Sequence, residues 1–278
     1  MSSRSFELAS GIEIGGVGLP VIAGPCVIED EAQTFAIARW LGSVAEDLGI
    51  RAVFKASFDK ANRSSLESFR GPGLDEGLEV LRAVANEFGL PVLTDVHLPD
   101  QCDRVAQVCD VLQIPAFLCR QTDLILAAAS TDRAVNLKKG QFMAPDDMRR
   151  AVDKARSTGN DRISVTERGF SFGYHNLVVD MRSFEMMHED GISVIYDVTH
   201  SLQLPGVGQV TGGLRRYAEP LCRAAIAAGA DGLYLEVHPD PDKALSDSST
   251  QLDPTRARAL LETAIALRQV LTGEAIAT

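Results

Sequence analysis

Two sets of side chains in this sequence have the chemistry of a reaction centre. The first is a thiol, an imidazole and two carboxylates: Cys26, His200, Glu236 and Asp247. Sulfur, nitrogen and oxygen donors in one place would hold a borderline divalent metal, Zn, Fe, Mn or Co, without selecting among them. The second set is five bases, Lys55, Lys60, Arg63, Lys138 and Arg168, in a chain whose formal net charge is -11. Fixed cations gathered in one concave mouth would concentrate a ligand carrying several negative charges. Each residue also has a plainer reading. Cys26 alone is more often an inert buried thiol, Asp247 in PDKALSDSST suits a loop cap, and single bases are commonly solvated. Chemistry follows only if the fold brings each set together.

Eight short apolar runs are spaced to do so, at 20–24, 51–57, 91–97, 111–117, 133–140, 162–169, 192–200 and 232–239. Each is apolar or β-branched at first and polar or glycine-rich at its end, the pattern of a buried parallel strand emerging at a functional rim. Amphipathic stretches alternate with them, such as EAQTFAIARWLGSVAEDLG and GLDEGLEVLRAVANEFG, stopped at Gly49 and Gly89. The pattern predicts an α/β chain, a single (β/α)8 TIM barrel over 1–278, with FEL and IEI as a short N-terminal β-hairpin plugging its base. An open doubly wound sheet shares the alternation. Eight similar units without GxGxxG after the first strand favour closure.

Closure would make the eighth strand the neighbour of the first and seventh, bringing Cys26, His200, Glu236 and Asp247 to one side. Ser57, Asp95, His97, Gln113 and His238 would also stand at strand ends. Asp95 has two readings of equal weight, orienting a cation or hydroxyl or capping the next helix. His97 and His238 stay open, whereas His175 and His188 fall outside the strand ends, the latter on a helix. Trp40 fits packing of a helix on the barrel. Long connections are expected after the second, seventh and eighth strands, and loops 203–213 and 241–252 are candidate lids.

Composition limits the partners. The 278 residues are 45% hydrophobic and 23% charged, enough to bury a full core. The acidic balance argues against nucleic acid or an anionic membrane surface. MSSRSFELASGIEIGG lacks an apolar signal region and no stretch approaches a membrane span, so a cytoplasmic protein is expected. Five cysteines without a CxxC pair suggest neither disulfides nor a zinc ribbon.

Longer strings carry a resemblance: AGPCVIED at 23–30, KASFDKANRSS at 55–65, LTDVHLPDQ at 93–101, DVLQIPAFLCRQTDL at 110–124, NLKKGQFMAP at 136–145, TERGFSFGY at 166–174 and YDVTHSLQLPG at 196–206. Across nearly the whole chain the sequence resembles the 3-deoxy-D-manno-octulosonate 8-phosphate synthases. KANRSS at 60–65 is the most specific string, since the sister heptulosonate 7-phosphate synthases carry a KPRT-type loop there. The resemblance implies condensation of phosphoenolpyruvate with D-arabinose 5-phosphate, a step towards lipopolysaccharide. It implies that Lys60, Gln113, Lys138, Gln141 and Arg168 surround phosphoenolpyruvate, with Lys55 between the two substrates. Asn62, Arg63 and Ser64 would meet the aldose hydroxyls and phosphate, with Ser57 and Asp95 also on substrate. Phe117 and Arg120 would reach a neighbouring subunit's site in a homotetramer. Cysteine after Gly-Pro marks the metal-requiring branch, with Cys26, His200, Glu236 and Asp247 as ligands and Lys55, Lys60, His200 and Cys26 as catalytic candidates. One departure is SSTQ after Asp247, where relatives have a glycine-containing turn. Two alternatives remain: the sister heptulosonate synthase, and a non-catalytic barrel that binds sugar phosphates.

Overall fold

The computed structural model describes residues 4–63, 65–206 and 212–273. Eight parallel strands form its centre: β1 Val21–Gly24, β2 Ala52–Lys55, β3 Val92–Asp95, β4 Val111–Ile114, β5 Ala134–Lys138, β6 Ile163–Glu167, β7 Ser193–Asp197 and β8 Gly232–Glu236. They close into a barrel because β8 pairs with both β7 and β1. The expected (β/α)8 architecture is observed, and the open-sheet alternative falls.

Side-chain alternation along each strand decides what the barrel holds. Ile22, Val53, Leu93, Val111, Ala134, Ile195 and Tyr234 form an apolar cluster with Leu8, Ala9, Ile12 and Ile14 of the N-terminal hairpin, Phe6–Ala9 paired with Ile12–Ile14. The hairpin therefore plugs the barrel, and burying Leu8, Ile12 and Ile14 stabilises it by about 1.5–3 kcal/mol each. Two residues further along the same strand faces stand Lys55, Asp95, Gln113, Asn136, Asp197 and Glu236. The interior thus turns from apolar to polar within one pleat. The opposite faces, including Val21, Phe54, Val92, Leu112, Val135 and Val165, pack with the surrounding helices in the larger core.

Local signals set the helices. Asp30 caps α1 Glu31–Leu48 by accepting from the Gln33 backbone, and Gly49 ends it in the left-handed region at φ 62°. Gly89 ends α2 Leu74–Phe88 in the same way, at φ 64°. Trp40 packs part-buried against the core. The other outer helices are α3 Cys102–Ala106, α4 Thr122–Ala129, α5 Met148–Arg156, α6 Ser183–Glu189, α7 Ala218–Ala227 and α8 Pro254–Thr272. No helix among the described residues is long and apolar enough to cross a membrane.

The strands are shorter than the apolar runs that announce them, since the chain leaves the ladder as its side chains turn polar. A two-residue hairpin, Phe170–Ser171 with Leu177–Val178, lengthens the connection after β6, where no long connection was expected. A second, Gln203–Leu204 with Gly212–Gly213, lies in the 203–213 loop; residues 207–211 of that loop lie outside the described residues.

Gly24 joins this frame to the site. A Cβ built there would stand 2.0 Å from the Lys55 backbone oxygen on the next strand. We expect Gly24→Ala to cost about 1–3 kcal/mol of stability through overpacking. Thermal unfolding reads this directly, and an unchanged transition would contradict the contact.

Candidate active site

A cavity of about 480 Å³ opens among the loops that follow the strands. Of the residues expected in a site, Lys60, Asn62, Arg63, Asp95, Gln113, Phe117, Lys138, Gln141, Arg168, His200 and Asp247 border it. Cys26, Lys55, Ser57 and Glu236 are fully buried and do not border it. Arg120 is exposed and outside the cavity lining, Phe117 is 49% exposed, and Ser64 lies outside the described residues.

On one side, donor atoms of Cys26, Glu236 and Asp247 lie within 4.8 Å of one another. His200 joins them, its Nε2 3.5 Å from Glu236 Oε1 and 3.6 Å from Asp247 Oδ2. Cys26 Sγ donates to Ser246 Oγ at 2.9 Å and lies 3.3 Å from Asp247 Oδ2. Burial, followed by the Glu236 charge, pushes the Cys26 thiol far above its ordinary value. Glu236 Oε2 is buried without a hydrogen-bond partner. An unsatisfied carboxylate oxygen beside a thiol, an imidazole and a second carboxylate is costly unless something positive completes it. The four residues therefore have the donor set, burial and deficit that suit a metal ion.

Lys55 neutralises part of this cluster. Its ammonium donates to Glu236 Oε1 and the Cys26 carbonyl, each at 2.7 Å, and to the Pro25 carbonyl at 3.3 Å. Burial opposes its charge, yet Glu236 and Cys26 hold it above the usual lysine value. All three of its protons are engaged by protein.

Behind His200 sits Asp197, a residue that sequence reasoning missed. Its Oδ2 accepts from His200 Nδ1 at 2.8 Å and from Lys138 Nζ, while its Oδ1 accepts from the backbone of Thr199 at 3.1 Å and of His200 at 2.8 Å. Despite burial, His200 and Lys138 hold this carboxyl far below the usual range. Lys138 Nζ also lies 3.4 Å from the Tyr234 ring centroid. Burial pulls Lys138 down to about 8, against the pull of Asp197. The signal for Asp197 was its place one pleat above Ile195; the apolar run pointed past it to His200.

Arg168 Nη1 donates to Gln141 Oε1 at 2.6 Å and Nη2 to Gln203, whose Nε2 donates to Asp247 Oδ1 at 3.0 Å. Gln203 was also missed; it links the basic wall to the carboxylate cluster. Asp95 does not cap a helix: it accepts from Ser57 Oγ and Gln113 Nε2. His97 borders the cavity with its ring edge-on to Phe58, and its Nδ1 is buried without a partner. His238 Nδ1 accepts from the Asp240 backbone, His175 bonds the Pro205 carbonyl, and His188 on α6 bonds Asp231. All five cysteines are buried and free.

Without a glycine in SSTQ, Asp247 itself takes the left-handed turn, at φ 47°. Backbone N–H groups of Thr250 and Gln251 close the turn on the Asp247 carbonyl, and Gln251 Nε2 donates to the Ser246 carbonyl. The unusual loop keeps the carboxylate beside Cys26.

Comparison with known proteins supplies the family. Residues 5–272 match the DAHP synthetase I family. The chain is 54% identical over 260 residues to a 2-dehydro-3-deoxyphosphooctonate aldolase of Syntrophotalea carbinolica, covering 93% of this chain and 94% of that protein. It is 51% identical over 269 residues to the enzyme of that name from Desulfatibacillum aliphaticivorans, covering 96% and 98%. It is 56% identical over 248 residues to another from Nitratidesulfovibrio vulgaris strain DP4, covering 89% and 91%. The chain belongs to the DAHP synthetase I family, among the 2-dehydro-3-deoxyphosphooctonate aldolases. In this member of the family, Lys138 and Arg168 are joined through Asp197 and Gln203 to His200 and Asp247, the two members of the Cys26 cluster that border the cavity.

Proposed function

We propose that this chain condenses phosphoenolpyruvate with D-arabinose 5-phosphate and water, giving 3-deoxy-D-manno-octulosonate 8-phosphate and inorganic phosphate for lipopolysaccharide synthesis. The observation that carries this reading is Lys60, Arg63, Lys138 and Arg168 bordering one cavity beside the Cys26, His200, Glu236 and Asp247 cluster. Two phosphorylated substrates need dispersed cations, and a carbon–carbon bond between them needs an electrophile held close to a nucleophile.

In the reaction, C3 of phosphoenolpyruvate bonds to the aldehyde carbon and water oxygen bonds to C2; the C2–O bond to phosphate then breaks. Lys60, Gln113, Lys138, Gln141 and Arg168 hold phosphoenolpyruvate, with Ser57 and Asp95 behind Lys60 and Gln113, and Asn62, Arg63 and Ser64 hold the aldose. Lys55 keeps Glu236 and the Cys26 backbone in place between them. A divalent metal held by Cys26, His200, Glu236 and Asp247 would polarise the aldehyde or activate water. Lys60 and His200 are the candidate proton carriers. The active form is a homotetramer in which Arg120, exposed in one chain, and Phe117 complete a neighbour's site. On this reading the enzyme works in the cytoplasm, where phosphorylated substrates are retained.

The direct test measures phosphate release from phosphoenolpyruvate with arabinose 5-phosphate against erythrose 4-phosphate. Turnover with the former supports the reading; turnover with erythrose 4-phosphate alone supports the sister condensation that the family's name describes. Release from neither pair leaves a sugar-phosphate binding barrel.

Lys138 adds a pH signature. It is cationic below about 8 and neutral above, so its attraction for phosphoenolpyruvate weakens as pH rises. We expect kcat/KM for phosphoenolpyruvate to fall above about pH 8, since that parameter reports groups of the free enzyme. A profile flat to pH 10 or so would remove Lys138 from substrate binding.

A further inference from the structure

Beneath the cavity runs a hydrogen-bonded chain through five neighbouring strands or strand ends. Lys60 Nζ donates to Ser57 Oγ at 3.1 Å, and Ser57 donates to Asp95 Oδ2. Gln113 Nε2 donates to Asp95 Oδ1, and Asn136 Nδ2 donates to Gln113 Oε1 at 2.8 Å. Thr166 and Ser164 donate to Asn136 Oδ1 at 2.8 and 3.2 Å. The strand register fixes these partners: Asp95 lies opposite Gln113, Gln113 opposite Asn136, and Asn136 opposite Ser164.

The chain has one consistent direction. An ionised Asp95 only accepts, so Gln113 must turn its NH2 towards it and its oxygen towards Asn136. Asn136 must then donate on that side and accept on the other, where two hydroxyls meet it. Asn136 is 0% exposed and does not border the cavity. A side chain that both donates and accepts is required here, and a carboxylate of the same shape fails on the donor side.

The geometry points to Asn136 as a positioning residue for the reaction: through the Gln113 amide it orients Asp95 and Ser57, and through Ser57 the ammonium of Lys60. This rests on the proposed role of Gln113 and Lys60 in holding phosphoenolpyruvate. Its substitution misaligns that substrate without touching it. Asn136→Asp turns an ionised oxygen against Gln113 Oε1, which forces the amide to reverse and present oxygen to Asp95. Once protonated, the new carboxyl donates as the amide did.

The partners of this position from β4 and β6, Gln113, Ser164 and Thr166, are uncharged; the charges joined through the network are Asp95 and Lys60. Burial raises the pKa of an introduced carboxyl, so protonation falls within a workable range. The experiment compares steady-state kinetics of the metal-loaded wild type and Asn136→Asp from about pH 8 down to about pH 6, with melting temperatures alongside. The expected result is kcat/KM for phosphoenolpyruvate down by about 10²-fold at the alkaline end, recovering relative to wild type as pH falls, with KM for the aldose little changed. Thr166→Val, which removes one donor and leaves Asn136 in place, serves if Asn136→Asp does not fold, and should raise KM for phosphoenolpyruvate alone. The role is overturned if the variant that folds matches wild type at every pH, or if both substrates lose equally at all pH values in step with a lower melting temperature. A wild-type enzyme that turns over neither substrate pair in the same assay overturns the functional reading, and this role with it.

Discussion

Cys26→Ala should give a folded chain that retains little metal and has lost about 10³ in turnover, the equivalent of several kcal/mol of Lewis-acid stabilisation. Three observations make the loss this large. Cys26 Sγ is one of the mutually close donors, it contacts Asp247, and it is buried where no solvent ligand readily replaces it. Removing the sulfur leaves the Glu236 and Asp247 carboxylates facing His200 without their soft partner, with Glu236 Oε2 still unpaired. The thiol is held far above its ordinary value, so loading a metal must expel its proton. Metal affinity of the wild type should therefore weaken as pH falls, and that dependence should be shallower in Cys26→Ala. Metal content by elemental analysis, with turnover in chelator-treated and metal-restored samples, checks both points. Full activity of the variant in rigorously metal-free buffer would refute the assignment.

The frame that gathers these groups was legible because a barrel strand advertises itself twice, by its apolar run and by the polar residue ending it. Closure then needed no long-range information: eight units put Glu236 between Cys26 and His200, as the pairing of β8 with β1 and β7 bears out. Residues that serve other residues were harder to see. Asp197 and Asn136 lie inside apolar runs, where a polar residue looks like an exception to the pattern, and only the register with neighbouring strands reveals their partners. The hairpin after β6 escaped because two-residue strands have too few alternations to register. At Asp247 the missing glycine signalled a different loop, yet the left-handed turn survives on an aspartate, a residue that tolerates that conformation better than most. Lys55 could be placed at a strand end from sequence, but its engagement by Glu236 and two carbonyls depends on the β1 and β8 backbones beside it.

Asp197→Asn should damage the Cys26–His200 cluster and the basic wall at once, since one carboxylate serves both. Its Oδ1 is committed to backbone N–H groups of Thr199 and His200, and its Oδ2 faces two further donors, Lys138 and His200 Nδ1. An amide has one oxygen, so whichever way it turns, an NH2 meets donors. If the oxygen keeps the backbone contacts, His200 loses the partner that fixes its ring and tautomer, and metal affinity should fall about 10–100-fold. Lys138 is left as a buried cation without its counterion, a loss of about 3–5 kcal/mol where such pairs are broken. The wild-type carboxyl is held far below its unfolded value, so its contribution is present above about pH 4 and fades on acidification below that. The variant should consequently lose stability at neutral pH and show less further loss in acid. A purely structural fault would stop there, but Lys138 supplies a second readout. Without Asp197 to favour its charge, its pKa drops below about 8, and the alkaline fall of kcat/KM for phosphoenolpyruvate should move to lower pH. Calorimetric metal titration and the pH profile together decide the matter: unchanged metal affinity with the alkaline limb still near pH 8 would reduce Asp197 to a packing residue.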